Sequence, residues 1–144
     1  YGSIYVAQVA MGSNAGQTVK AFLEAESFDG PSVIIAYSHC IAHGTNMRTA
    51  TDNHKRAVKS GHWPLYRFDP RLAEKGENPL QLDSRKPSIK ISEYMDHETR
   101  FKMLEKLDAA RKEEMVAYAQ REVERRWAHY EHLAAQDFSQ VAGE

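Results

Sequence analysis

The spacing of apolar and polar positions changes several times along the 144 residues, and each change predicts an element. SIYVAQVA, residues 3–10, mixes β-branched and aromatic residues with small ones and predicts a short strand. The loop MGSNAG follows, where Ser13 or Asn14 can cap a helix by accepting from its free N–H groups. In QTVKAFLEAES, 17–27, Val19, Phe22, Leu23 and Glu26 recur at helical spacing, so the apolar stripe is expected to face a core. Asp29-Gly30 ends that helix. Pro31 opens SVIIAYS, 32–38, a run apolar on both faces that suits a strand covered on each side in a parallel sheet. Strand, helix and strand in this order make a βαβ unit.

TATDNHKRAVKSG, 49–61, predicts a short polar helix with Ala50, His54, Ala57 and Val58 inward and Gly61 at its end. WPLYRFD, 63–69, predicts a third strand or an extended segment, with Leu65, Arg67 and Asp69 opposing Tyr66 and Phe68. Residues 70–88 carry Pro70, Gly76, Pro79 and Pro87 and are too many for a casual connection. They are expected to lie flat on the protein or a neighbour, anchored by Leu72, Leu80 and Leu82. SEYMDHETRFKML, 92–104, predicts a helix with Ser92 as its cap. Between Asp108 and Ala135 there is neither Gly nor Pro, and Ala119, Val123, Trp127, Tyr130 and Ala134 form one stripe of a long amphipathic helix. The tail QDFSQVAGE is expected to be loose. The class these elements predict is α/β, with two or three mostly parallel strands, flanking helices and a long C-terminal helix.

Composition narrows the function classes. Lys plus Arg number 19 and Asp plus Glu 20, a net charge of −1, which argues against a general nucleic-acid binder. No apolar run approaches the roughly 20 residues that span a bilayer. A single cysteine forms no internal disulfide and favours a reducing compartment. The first residue is not Met, and by residue 4 the chain reads as a core strand, so a piece of a longer polypeptide is expected.

Familiar catalytic fingerprints are absent: no dinucleotide or Walker glycine loop, no His-Glu-x-x-His and no Gly-x-Ser-x-Gly. GSNAG could cradle a phosphate at a helix N-terminus, but a plain turn is the simpler reading. The only cysteine, Cys40, lies in SVIIAYSHCIAHG where the apolar strand stops. With His43 it makes Cys-x-x-His, half of a zinc site that has no second cysteine. With His39 or His43 as base it could be a nucleophile. By bare chemistry an inert thiol at a strand end is the plainest reading. Its position still counts, because ligands of open α/β sheets gather at the carboxyl ends of strands. His129 and His132, at i and i+3, could share a metal but read as ordinary surface residues. Tyr118, Trp127 and Tyr130 read as packing.

Gly30-Pro31-Ser32, Cys40-Ile41, His43-Gly44, Ala57-Val58, Gly61, Trp63, Tyr66-Arg67-Phe68, Pro70-Arg71-Leu72, Gly76, Asn78-Pro79 and Leu82-Asp83-Ser84 occur in that order. On these residues the chain resembles the C-terminal part of the single-chain pyruvate:ferredoxin (flavodoxin) oxidoreductases, over about residues 2 to 104. The resemblance implies oxidative decarboxylation of pyruvate with coenzyme A to acetyl-CoA and CO2, electrons leaving through [4Fe-4S] clusters to ferredoxin or flavodoxin. It implies thiamine diphosphate and Mg2+ in a parent enzyme that is a cytoplasmic homodimer, without membrane or nucleic acid. It also implies a partial thiamine-diphosphate-binding layer fold over 1–69, an extended segment over 70–91 and a helical tail over 92–144. Cys40 is implied as the distant fourth ligand of one [4Fe-4S] cluster, the other three lying outside this sequence. No cofactor and no activity are expected of the chain alone. The loop TNMRTATDNHKRAV is shorter than in the family and lacks its glycines, which bears on contacts near the cluster. Two other readings are an assembly or dimerisation module docking through 70–88 and the last helix, and a small metal-binding domain built on Cys40 and histidines. Another 2-oxo acid could replace pyruvate.

Overall fold

The computed structural model describes residues 2–140, apart from the side chains of His43, Leu104, Glu105 and Leu107. Strand β1, Tyr5–Val9, buries Tyr5, Ala7 and Val9 on one face and half-buries Val6 and Gln8 on the other, the period-2 burial of a sheet interior. It pairs in parallel with β2, Ser32–Ala36, with Tyr5 opposite Ser32 and Val9 opposite Ala36. On its other side β1 pairs antiparallel with β3, Tyr66–Phe68, which pairs antiparallel with β4, Leu80–Leu82. The order is β2-β1-β3-β4. The α/β class therefore stands, but the sheet has four strands rather than two or three, and only β1 and β2 are parallel. The connection from Phe68 to Leu80 is too short for the helical crossover that a parallel neighbour requires, so β4 returns antiparallel.

Segment 70–91 is correspondingly less extended than expected. Pro70–Lys75 form a 3-10 turn capped by Asp69, and Gly76 at φ +73° closes it. Asn78 then holds the chain to itself. Its Oδ1 accepts from Leu80 N–H at 2.8 Å, and its Nδ2 donates to the carbonyls of Leu133 and Gln136 at 2.8 and 3.1 Å. Much of the stretch anticipated as a docking arm is thus spent on this chain's own last helix.

Helix α1, Ala15–Glu26, starts where Asn14 Oδ1 accepts from Gln17 N–H at 3.0 Å, so the MGSNAG loop caps a helix with its own side chain. The apolar stripe anticipated to face a core is turned outward. Gln17, Thr18 and Ala21 are buried, while Val19, Phe22 and Leu23 are 58%, 57% and 66% exposed. The inner side is chosen by polar tethers: Gln17 Nε2 donates to Asp83 Oδ2 at 3.0 Å, and Glu24 meets both Arg67 and the Tyr5 hydroxyl.

Helix α2 spans Ala50–Lys59, α3 Ile91–Met95, α4 Thr99–Leu107 and α5 Ala109–Ala134. The helix expected over 92–104 is broken at 96–98, and α3 begins at Ile91, one residue before Ser92, with Glu93 Oε1 accepting from Lys90 N–H. Asp108 caps α5, whose stripe buries Val123 and Trp127 as the spacing predicts. Ala57, Ile91, Tyr94, Met95 and Val123 form a second core, with Trp63 and Phe101 against it. Trp63 Nε1 donates to Val9 O at 3.0 Å, which ties this helical core to the carboxyl end of β1. Residues 141–144 of the tail lie outside the described residues. Among the described residues, no helix is long and apolar enough to cross a membrane.

Candidate functional site

The ladder of β2 runs one step past its last residue, with Tyr37 N–H donating to Val9 O at 2.9 Å. The chain then leaves the sheet through Ser38, His39 and Cys40, makes a 3-10 turn over Ile41–His43, and reverses at Gly44, φ +73°. Cys40 is exposed, at the carboxyl edge of the sheet. It lines an open cleft of about 350 Å3 with Tyr37, His62, Trp63, Glu98 and Arg100.

Three attachments hold this loop, all from residues distant in sequence. At its start, the Tyr37 and Tyr94 hydroxyls lie 3.1 and 2.8 Å from Glu98 Oε1, each able to donate, and Glu98 is 3% exposed and ion-paired to Arg100. A buried carboxylate survives where charge and hydrogen bonds replace its water, and here two phenols and a guanidinium do so. Burial pushes the Tyr94 phenol well above its usual value, and that of Tyr37 up as well, so both remain protonated donors. In the middle, His39 Nδ1 sits 3.2 Å from His54 Nε2. Gly12 N–H donates to His54 Nδ1 at 3.3 Å, which leaves the proton of the neutral ring on Nε2, directed at His39. Burial, then the neighbouring His39, holds His54 below the usual histidine value and so in that neutral form. Gly12 is required, since a Cβ there would lie 2.9 Å from His54 Cγ. At the loop's end, Thr99 Oγ1 donates to Gly44 O at 2.8 Å. A Cβ on Gly44 would come within 2.6 Å of Thr99 Cβ.

His62 stacks on Tyr94, ring centroids 4.7 Å apart, while Arg126 donates to the His62 carbonyl at 2.8 Å. Burial, then Arg126 and Arg100, push the imidazole down to about 4 from 6.5, against an opposing pull from Glu98. The unfolded ring takes up a proton below pH 6.5 and the folded ring only near pH 4, so stability falls as pH is lowered through that window. Going from pH 7.5 to 5 is expected to cost about 2 kcal/mol through this residue. Urea titrations at the two pH values should show the loss, and His62→Gln should remove it. Equal acid sensitivity in the variant would contradict this account.

Cys40 is where the sequence placed it, and the side chain of His43 lies outside the described residues. Among the described residues no three His, Cys, Asp or Glu side chains converge as metal ligands, so His129 and His132 have no third ligand and Cys40 stands as a single accessible thiol. Sequence reasoning turned His54 inward but missed its contact with the loop, and it missed Tyr37, Tyr94, Glu98 and Thr99. The only signal for them was the i, i+4 spacing of Tyr94 and Glu98.

No family model matches the chain. Several of its curated relatives are oxidoreductases by name. It is 54% identical over 135 residues to the pyruvate-flavodoxin oxidoreductase of Nostoc sp., 94% of this chain and 11% of that protein. It is 43% identical over 134 residues to the pyruvate:ferredoxin oxidoreductase of Moorella thermoacetica, 93% of this chain and 11% of that one. It is 50% identical over 108 residues to the mitochondrial pyruvate dehydrogenase [NADP(+)] of Euglena gracilis, 74% of this chain and 6% of that one. This chain is homologous to a segment of the pyruvate-flavodoxin and pyruvate:ferredoxin oxidoreductases, as the resemblance implied, and it spans about a ninth of the length of the first two relatives.

Proposed function

We propose that the chain is the end of the thiamine-diphosphate-binding domain, with the C-terminal tail, of a pyruvate:ferredoxin or pyruvate:flavodoxin oxidoreductase. The parent reaction is oxidative decarboxylation of pyruvate with coenzyme A to acetyl-CoA and CO2, and the parent is a cytoplasmic homodimer that passes electrons to ferredoxin or flavodoxin. The domain end occupies 1–69, segment 70–91 follows and adds β4 to its sheet, and the helical tail occupies 92–144. The observation that carries this reading is the exposed thiol of Cys40, held at the carboxyl edge of the sheet by a loop fixed at both ends, in a chain homologous to those enzymes. When bound, a [4Fe-4S] cluster takes up and passes on single electrons. The work of this chain is to hold one thiol in place for it: β2 aims the loop, Glu98 and Thr99 fix its ends, and Cys40 supplies one of four ligands. The remaining ligands, the diphosphate and Mg2+ contacts and the substrate contacts belong to the rest of the parent, so the 144 residues alone should not turn over pyruvate.

In the longer polypeptide that carries this segment, Cys40→Ser should lower the iron content and the electron paramagnetic signal of one cluster. Pyruvate-dependent viologen reduction should fall at least about tenfold, the scale reached even by losing an outer partner of a metal site. Unchanged iron and activity would refute the ligand role. Comparing pyruvate with other 2-oxo acids in the same assay settles the substrate.

A further inference from the structure

Fixing the two ends of a loop does not fix its middle. The thiol-bearing loop is tied at Tyr37 and at Gly44, and Cys40 lies between them. Among the described residues, the one hydrogen bond from 38–43 to another element is that between His39 and His54. His54 rides on α2, which is itself well anchored. Ala50, Asn53 and Ala57 are buried, and Trp63 N–H and Ser88 N–H donate to the carbonyls of Ala57 and Lys59 at 3.0 and 2.8 Å. The His54 ring packs edge-on against Tyr37, with centroids 4.9 Å apart. Its two nitrogens join the loops that follow the parallel strands β1 and β2. Nδ1 takes the Gly12 N–H, and Nε2 meets His39 Nδ1.

These contacts leave one arrangement of protons. His54 Nδ1 accepts from Gly12, so the proton of the neutral ring is on Nε2. His39 Nδ1 must then accept, which puts the His39 proton on its own Nε2. A backbone amide of one loop thereby sets the tautomers of two rings and the direction of the bond that holds the other loop. Cys40 has an extended backbone, φ −123° and ψ 124°. Neighbouring side chains of an extended chain leave it on opposite sides. A His39 ring held toward α2 therefore turns the thiol the other way, and Cys40 is exposed.

We propose that His54 is a positioning residue for Cys40, acting through His39, with the Gly12 amide as the group that sets its tautomer. The proposal rests on the reading of Cys40 as a cluster ligand and adds to it the residue that aims the thiol.

Nuclear magnetic resonance of the 144-residue chain tests the first half. Two-bond proton–nitrogen correlations should place the proton of both rings on Nε2, and the Cys40 amide should be rigid, with an order parameter of about 0.85. His54→Ala should leave His39 exchanging between tautomers and lower the Cys40 value below about 0.6. His54→Gln, with a donor and an acceptor on one amide, should restore it. The longer polypeptide tests the second half. There His54→Ala should shift the electron paramagnetic g values of the cluster that Cys40→Ser removes. It should also speed that cluster's loss of iron to a chelator at least about tenfold, and His54→Gln should restore both. A His54→Ala protein that unfolds more easily but keeps its g values and chelator resistance would make His54 a merely structural residue and overturn the proposal. So would ring protons on Nδ1, or an equally rigid Cys40 in the variant. If Cys40→Ser removes no cluster, the ligand reading fails, and the tautomers and order parameters still decide whether His54 aims the thiol. A cluster that needs Cys40 but ignores His54 would leave the ligand reading standing and sink the proposal.

Discussion

Replacing Arg67 with Ala should cost about 3 kcal/mol of folding stability, the lower end of what removing one partner of a buried ion pair costs. Arg67 is the inward residue of β3, with a side chain only 9% exposed. Its guanidinium makes four hydrogen bonds to two carboxylates. Nε and Nη2 donate to the two oxygens of Asp83 at 2.8 Å each, and Nη1 donates to Glu24 at 2.6 and 2.8 Å. The hydrogen bonds it donates to Asp83, then those it donates to Glu24, hold the guanidinium well above its usual value despite burial. Without Arg67 two carboxylates, 24% and 17% exposed, face each other with no cation between them. They are also the groups that anchor α1 to the sheet, through Tyr5 and Gln17. Urea unfolding at pH 7 should report the loss. Arg67→Lys should recover only part of it, because an ammonium cannot bond both carboxylates in two-pronged fashion. A combined Arg67→Met, Glu24→Gln and Asp83→Asn variant should recover most of it. An Arg67→Ala loss under about 1 kcal/mol would put the network among weak surface pairs.

Gly61→Ala should cost a similar amount, about 3 kcal/mol, from a different cause: a left-handed backbone that disfavours a side chain and a crowded site that resists one. Gly61 has φ +74°, and a Cβ there would meet Pro87 Cγ at 2.7 Å and Val123 Cγ1 at 2.9 Å. The residue is also the point where α2 stops against α5, since Arg126 donates to its carbonyl at 3.1 Å. Chemical denaturation would measure the loss. If Pro87 and α5 can give way, Gly61→Ala would cost about 1 kcal/mol, the backbone part alone.

How far the sequence disclosed this structure depended on whether each signal was local. β1, β2, α2 and α5 follow from periodicity because each has a clear apolar face or run. β4 was hidden because three residues, Leu80–Leu82, carry too little period to stand out among prolines and glycines. The break between α3 and α4 is tertiary in origin: Glu98 turns inward to meet two phenols, one of them 61 residues away. α1 is the instructive miss. Helical spacing of Val19, Phe22 and Leu23 predicts a buried face, whereas the polar tethers of Gln17 and Glu24, which periodicity does not show, turn another face inward. Cys40 was legible as the one thiol at a strand end, whereas the groups that hold its loop come from residues 94–99, which no short motif links to it.

That separation has a consequence for the order in which the protein is made. Residue 44 meets its partner only when residue 99 exists, and residue 37 meets Glu98 no sooner. During synthesis β1, α1 and β2 can therefore pair, and His39 can meet His54, while the thiol-bearing loop still lacks the anchors at its two ends, which it gains only after more than fifty further residues have left the ribosome. The last part of the site to be translated is the part that fixes its position.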